Sequence, residues 1–223
     1  MFSSLLAESI VGRAVESGQL EVNLLQIRNF AMDKHRTVDD TPYGGGAGMV
    51  MRCEPLFAAW QYAKDRDASA TKTILFRPQG KPLTQGLLQQ FSQGSERLIL
   101  VCGRYEGIDE RFIELCVDEE ISLGDFVLTG GEVPAMAFVD GVARLLPGVV
   151  GNPESIVGES FSPAQEGGLE YPQFTRPPEF RGLSVPEVLL SGDHARIAAW
   201  RQEQSRGMTR ARRPDLALKG QEK

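Results

Sequence analysis

Three stretches of this sequence combine glycines with charged or aromatic residues in a way that suits a nucleotide-like ligand. The first runs Ser122-Leu123-Gly124-Asp125-Phe126-Val127-Leu128-Thr129-Gly130-Gly131-Glu132. An apolar run, Phe126 to Leu128, reads as a strand ending in a glycine pair. A helix pattern begins at once, with Met136, Val139, Val142, Ala143 and Leu146 at helical spacing. Pro134 suits the first turn of that helix, where a missing N–H is harmless, and Pro147-Gly148 stops it. Glycines at a strand end let a ligand approach the backbone closely. A tight strand-to-helix turn in any α/β domain uses the same residues, so the glycines alone do not separate the two readings.

The second stretch is Asp33-Lys34-His35-Arg36-Thr37-Val38-Asp39-Asp40-Thr41-Pro42-Tyr43, followed by Gly44-Gly45-Gly46-Ala47-Gly48. Its glycines permit close approach to a flat base or a phosphate, and Tyr43 can stack on a base. A flexible surface turn is the plain alternative, but a hinge does not call for Lys-His-Arg and Asp-Asp just before it. The third is Gly103-Arg104-Tyr105-Glu106-Gly107, which follows the apolar run Leu98 to Cys102.

Several common chemistries are excluded. The glycine run at 44–48 lacks the Lys-Ser/Thr of a phosphate loop, and no Gly-x-Ser-x-Gly elbow is present. No Gly-x-Gly-x-x-Gly follows a strand, which argues against a Rossmann cofactor enzyme. Cys53, Cys102 and Cys116 have no metal-ligand spacing, and the two histidines, His35 and His194, leave little room for a His-based metal site.

The elements that must position these stretches alternate. Residues 4–17 read as one amphipathic helix and 20–27 as a strand. A helix follows from Pro55 to about Lys64, a strand over 73–76 and a helix capped by Thr84. Leu98 to Cys102 reads as a strand buried on both faces, followed by a short helix near 109–116 and a strand near 120–123. The fold class is therefore α/β, a mostly parallel sheet with helices on both faces. Ligands on such sheets bind beyond the carboxyl ends of the strands, where the glycine-rich stretches can meet. Residues 148–180 carry Pro153, Pro163, Pro172, Pro177 and Pro178 with little periodicity, so they read as a linker or mobile loop. A small helical unit follows, its main helix capped by Asp193.

Composition bounds the rest. With 223 residues, 41% hydrophobic and 24% charged, this is a globular chain of one large domain or one with a small companion. No apolar run approaches a membrane span and no signal peptide is evident, so the expectation is a cytoplasmic protein with reduced thiols and no membrane partner. The net charge of −6 is unevenly spread. Residues 105–132 carry nine acids and one base, whereas 194–223 carry eight Lys/Arg and three Asp/Glu. A basic tail on an acidic body fits phosphate contacts, although a solvated helix face explains the charge alone.

Taken together, the three stretches closely resemble the bacterial tRNA (guanine-N1)-methyltransferases of the TrmD type. The resemblance runs from about Ser9 to Pro214. It is supported by Leu189-Leu190-Ser191-Gly192 before His194, and by Tyr171-Pro172 with Thr175-Arg176-Pro177. It implies the knotted (SPOUT) methyltransferase fold, whose sheet ends in a deep C-terminal trefoil knot, a rarity among folds. The organisation it implies is a knotted domain over 1–151, a linker over 152–167 and an all-helical tRNA-binding domain over 168–223. It implies methylation of N1 of guanosine-37 of tRNA, just 3′ of the anticodon, with S-adenosyl-L-methionine as methyl donor. It also implies a homodimer with active sites at the subunit interface, and a requirement for Mg2+ for which no residue set here reads as a site.

Residue by residue, the resemblance places the donor against Leu75, Phe76, Pro78, Gly103, Glu106, Leu123, Gly124, Asp125, Phe126, Val127, Leu128, Gly130, Gly131 and Pro134. Guanine N1 carries a proton, so a carboxylate must accept it during transfer, and a guanidinium can stabilise charge growing on O6. The family's arginine falls on Arg144. Its aspartate, in an Asp-Ser-Phe triplet, falls on Glu159 of Glu159-Ser160-Phe161, one methylene longer; Asp40 is the next carboxylate to consider. The tRNA is expected to meet Asp40, Tyr43, Gly44, Gly48, Ser160, Arg206, Arg210 and Arg212. Relatives begin about ten residues earlier with an apolar strand closing in Leu-Phe-Pro-Glu, so the sheet here is expected to lack an interior strand. Two other readings remain open: a knotted methyltransferase acting on another base or a ribose hydroxyl, and an RNA-binding protein without transferase activity.

Overall fold

A computed structural model describes residues 1–94, 96–152 and 154–219. The chain divides into two compact units, Met1–Val150 and Gly151–Lys223.

The first unit is built on a parallel sheet. Helices α1 (Phe2–Ala7) and α2 (Ser9–Glu16) are followed by the two-residue strands β1 (Asp39–Asp40) and β2 (Val50–Met51), which pair antiparallel. Then come α3 (Cys53–Asp65), β3 (Thr71–Pro82), α4 (Gln85–Gln93), β4 (Arg97–Val101), α5 (Glu110–Cys116), β5 (Glu119–Ser122) and α6 (Glu132–Ala143). Strand β3 is central, in the order β4-β3-β5, with both neighbours parallel to it. The helices expected between parallel strands are present, α4 leading to β4 and α5 to β5.

Alternation along β3 assigns the two faces. Leu75 points into a cluster with Leu56, Val101, Phe112 and Ile113, beneath α3 and α5. Ile74 and Phe76 point the other way, into a cluster with Leu87, Ile121 and Phe138, beneath α4 and α6. Helices therefore cover both faces, as expected. Phe138 is fully buried and meets Phe76 and Phe91 edge-on, with ring centroids at 5.7 and 5.0 Å. A third cluster joins Val11 of α2 to Val139 and Ala143 of α6.

Four expectations are corrected here. The helix expected over 4–17 is broken, because Glu8 is extended and Ser9 is left-handed at φ 59°. No strand forms over 20–27: the segment is largely exposed, has no ladder partner among the described residues, and ends in a 3-10 turn, Ile27–Phe30. The apolar run 126–128 likewise pairs with nothing and stays exposed, Val127 at 85%. The C-terminal unit is not all-helical, since β6 (Glu179–Phe180) and β7 (Leu183–Ser184) form a hairpin after α7 (Glu154–Val157). Arg181 and Gly182 both take positive φ, 52° and 80°, as a two-residue hairpin turn requires.

The rest of the second unit is α8 (Glu187–Leu190), α9 (His194–Arg212) and α10 (Pro214–Lys219). Asp193 caps α9 as expected, its carboxylate accepting from the Arg196 N–H at 3.1 Å. The proline-rich segment before the hairpin is tied to α9 by polar contacts. The Leu169 N–H donates to Thr209 Oγ1 at 2.9 Å, and Ser205 Oγ lies 2.6 Å from the Leu169 carbonyl. Among the described residues no helix is long and apolar enough to cross a membrane.

Candidate active site

The three glycine-rich stretches expected to meet do so at the carboxyl ends of the sheet strands. Strand β4 ends at Val101, and the chain turns through Cys102 and Gly103. The Gly131 N–H donates to the Gly103 carbonyl at 2.8 Å, and Arg104 bridges Gly130 across the turn. A side chain at 131 would put its Cβ 2.8 Å from Cys102 Cα, so only glycine allows this approach. Arg104 Nε donates to Glu132 Oε1 at 2.7 Å, clipping the two loops from outside.

The second stretch joins from the other side. The Glu106 N–H donates to the Met49 carbonyl at 3.0 Å, the Met51 N–H to the Gly107 carbonyl at 2.9 Å, and the Asp109 N–H to the Met51 carbonyl at 3.0 Å. Gly48, at φ 84°, lies where any Cβ would collide with the Glu106 side chain. Residues 102–109 are thus held between 49–51 and 130–132. Tyr105, left-handed at φ 61°, accepts a hydrogen bond on its hydroxyl from Arg28 at 3.1 Å. Nothing in the spacing of Arg28, Arg104 or Glu132 marked them as partners, because each contact spans 28 or more residues.

Electrostatics around these loops are asymmetric. Burial pushes the Cys102 thiol up to about 12, and the Glu132 carboxylate adds to the shift. The Arg111 guanidinium holds the Asp109 carboxyl well below the usual carboxylate range. Arg77 spans Glu110 of α5 and Glu120 of β5, and their carboxylates raise its own value. This network straps the chain where β3 leaves its first register with β5, after Phe76 and before pairing resumes at Lys81.

The expected donor-binding residues fall into two groups. Leu75, Phe76 and Pro134 are buried, with Leu75 and Phe76 packed in the two core clusters, so beside these loops they have mainly backbone to offer. Asp125, Phe126, Val127 and Leu128 are exposed, following a turn in which the Phe126 N–H donates to the Gly124 carbonyl at 2.9 Å. Leu123 and Gly124 are half-buried and Pro78 is exposed. Gly103, Gly130 and Gly131 carry no side chains, and the apolar run 126–128 just before the glycine pair is exposed.

Of the expected proton-transfer residues, Arg144 lies away from these loops within the first unit. Arg144 is the C-cap of α6, its N–H donating to the Asp140 carbonyl at 3.2 Å. Gly131 caps the opposite end of that 12-residue helix, so Arg144 sits roughly 18 Å away along the axis. Glu159 belongs to the second unit and is half-buried, its carbonyl accepting from the Ser162 N–H at 3.2 Å. Next to it, Ser160 Oγ accepts from the Glu170 N–H at 2.9 Å.

The expected RNA contacts are spread over both units. Asp40 accepts from the Thr41 N–H at 2.8 Å at the base of the β1–β2 loop, and Tyr43 on that loop is 99% exposed. Gly44 and Gly48 both have positive φ, 85° and 84°. Arg210 and Arg212 are exposed on α9, whereas Arg206 pairs with Glu166 at 2.7 Å. Among the described residues no group of three or more His, Cys, Asp or Glu is placed to hold a metal ion.

Comparison with known proteins identifies the family. The family model for tRNA (Guanine-1)-methyltransferase TrmD matches residues 1–219. A protein of Geotalea uraniireducens named tRNA (guanine-N(1)-)-methyltransferase is 56% identical over 216 residues, covering 97% of this chain and 85% of that protein. Proteins of the same name from Gloeobacter violaceus and Ruminiclostridium cellulolyticum are 54% and 51% identical. These alignments cover 96% and 97% of this chain, and 92% and 91% of the relatives.

Proposed function

The chain belongs to the tRNA (guanine-1)-methyltransferase family, and from that membership we propose that it methylates N1 of guanosine-37 of tRNA, just 3′ of the anticodon. It is a methyltransferase acting on guanine in tRNA, and the observation that carries this reading is the family match over residues 1–219. The methyl donor is S-adenosyl-L-methionine, which supplies an electrophilic methyl group on a sulfonium sulfur. The first unit adopts the family's trefoil knot, and the enzyme works in the cytoplasm.

The donor is held where the glycine stretches meet. Backbone at Gly103, Gly130 and Gly131 serves the adenine edge, and the exposed run Phe126 to Leu128 covers its face. The Arg104–Glu132 pair and the bonds from 49–51 keep these loops in place before the donor arrives.

Glu159 accepts the proton from guanine N1, which turns a poor nucleophile into a competent one as the methyl group transfers. Arg144 stabilises the negative charge that grows on O6. A 12-residue helix separates Arg144 from Gly131, which supports a homodimer whose sites take donor loops from one chain and Arg144 from the other. Tyr43 stacks on a base, and Asp40, Ser160, Arg206, Arg210 and Arg212 hold the neighbouring RNA. No residue is assigned to Mg2+, because the described carboxylates form no ligand cluster.

The test uses labelled S-adenosyl-L-methionine with two tRNA transcripts, one carrying G and the other A at position 37. Label on the G transcript alone, with a primer-extension stop at that base, is the expected result. Equal label on both would move the target elsewhere on the RNA.

A further inference from the structure

The second unit carries two open hollows side by side, one of about 590 Å³ and one of about 330 Å³. Tyr171, Ile197 and Arg201 line both, so the wall they share contains the Arg201 guanidinium, 4.7 Å from the Tyr171 ring centroid. The larger hollow adds Phe174, Arg176 and Leu189, and the smaller adds His194 and Gln202. Each is of a size that takes a nucleotide-scale ligand.

The arginines of the unit divide into paired and unpaired ones. Arg206 and Arg213, which line neither hollow, are neutralised by Glu166 and Asp215. Arg176 and Arg201 have no carboxylate partner among the described residues. A guanidinium stacked on a ring spends its face on that ring and keeps its N–H edge for an anion. An aromatic wall beside edge-on guanidiniums is the arrangement that receives unstacked bases with their phosphates.

We infer that these paired hollows hold two successive unpaired nucleotides of the tRNA. One base lies against Tyr171 and Phe174, and Arg176 and Arg201 hold the phosphates. Two adjoining hollows with a cation in the shared wall fit a strand better than a single small anion. Charge complementarity excludes an apolar protein surface, which would leave both guanidiniums desolvated and unpaired, and the aromatic wall beside the cations favours RNA. The inference rests on the tRNA substrate proposed above and adds a site that neither the methyl donor nor the proton-transfer residues use.

The test measures tRNA binding by the full chain across a salt series, for wild type, Tyr171→Leu, Arg176→Gln/Arg201→Gln, and Arg181→Gln. Arg181 is an exposed arginine of the β6–β7 turn that lines neither hollow, so it controls for charge alone. Tyr171→Leu should weaken binding about tenfold. The double arginine variant should weaken it further and lower the salt slope by about two, with Arg181→Gln costing at most about a twofold loss. In turnover, KM for tRNA should rise while kcat at saturating tRNA holds. Equal losses in Arg181→Gln and the double variant, or unchanged affinity with an altered oligomeric state, would overturn the site. In the second case a protein contact takes its place. A wild-type chain that binds no tRNA would remove the substrate reading as well, whereas wild-type binding with unaffected variants removes only the hollows.

Discussion

The two ends of helix α6 contrast sharply. At its amino end, Gly131 is pressed against the Cys102–Gly103 backbone, and Glu132 is clipped to Arg104 at 2.7 Å. The loops proposed to receive the donor are assembled there by one chain. At its carboxyl end Arg144 stands roughly 18 Å away, far from the loops whose reaction it is proposed to serve. In the proposed site, binding and proton transfer are therefore built by different means. The first rests on a core that fixes backbone against backbone, and the second on residues that must be brought to the substrate.

The two units differ in the same sense. The first buries three hydrophobic clusters around its sheet. In the second, no hydrophobic side chain of the described residues is buried, and Phe180, Leu183 and Leu190 are at least 61% exposed. Its buried side chains are polar: Ser162, Ser205 and Thr209. Hydrogen bonds, rather than buried apolar side chains, tie this region together: Leu169 is bonded to Ser205 and Thr209 of α9, and the neighbouring Glu170 N–H donates to Ser160.

The sharpest way to break the contrast is by turnover. Glu159→Gln should lower kcat by about 10²–10⁴ with donor affinity unchanged, as expected for a lost general base. Gly131→Val should do the reverse, weakening donor binding by about tenfold or more in a calorimetric titration. If Glu159→Gln weakened donor binding instead, the division between binding and proton transfer would be wrong.

Stability separates the units next. Phe138→Ala should cost about 3–5 kcal/mol in denaturant unfolding, because it empties a site packed by two rings. Leu183→Ala, at 77% exposure in the second unit, should change stability by no more than about 0.5 kcal/mol. Comparable losses would mean the second unit has a core of its own.

Thr209→Val tests the polar account of the second unit. It strands the Leu169 N–H and should cost about 1–3 kcal/mol. Hydrogen exchange should report faster opening around Leu169 while β3 amides keep their protection. Uniform protection would assign the order of that segment to something other than α9.

A further effect is confined to alkaline pH. Folding raises the Cys102 thiol from 9.0 to about 12, so between those values the unfolded chain loses its proton while the folded chain keeps it. Stability should fall as pH rises through that window, by up to about 1.4 kcal/mol per pH unit, and be unaffected below it. Cys102→Ala should flatten this part of the profile; an unchanged slope would place the titration elsewhere.

Much of this was legible in the residues. Alternating apolar runs predicted a parallel sheet covered on both faces, and glycines after strands predicted that their loops would meet. Failures came where local pattern lacked a partner. Residues 20–27 and 126–128 are apolar enough for strands, but a strand needs a neighbouring ladder and neither has one among the described residues. The helix expected over 4–17 keeps its apolar face on both sides of a left-handed Ser9, so periodicity could not reveal the break. The Arg181-Gly182 turn is a hairpin signal hidden by the prolines before it. The site's own clips, Arg28 to Tyr105 and Arg104 to Glu132, depend on tertiary proximity that no spacing encodes.

The most direct measurement mixes two impaired chains at a donor concentration that leaves each of them nearly inactive alone. Gly131→Val damages the amino end of α6 and Arg144→Ala the carboxyl end. Each is first checked for a wild-type melting profile and then assayed alone for methyl transfer to tRNA. If each site combines the loops of one chain with Arg144 of another, co-refolded mixtures should regain about a quarter of wild-type activity, because half the dimers then hold one intact site. No regain from two well-folded variants would put the loops and Arg144 to work within a single chain, against the separation that α6 imposes.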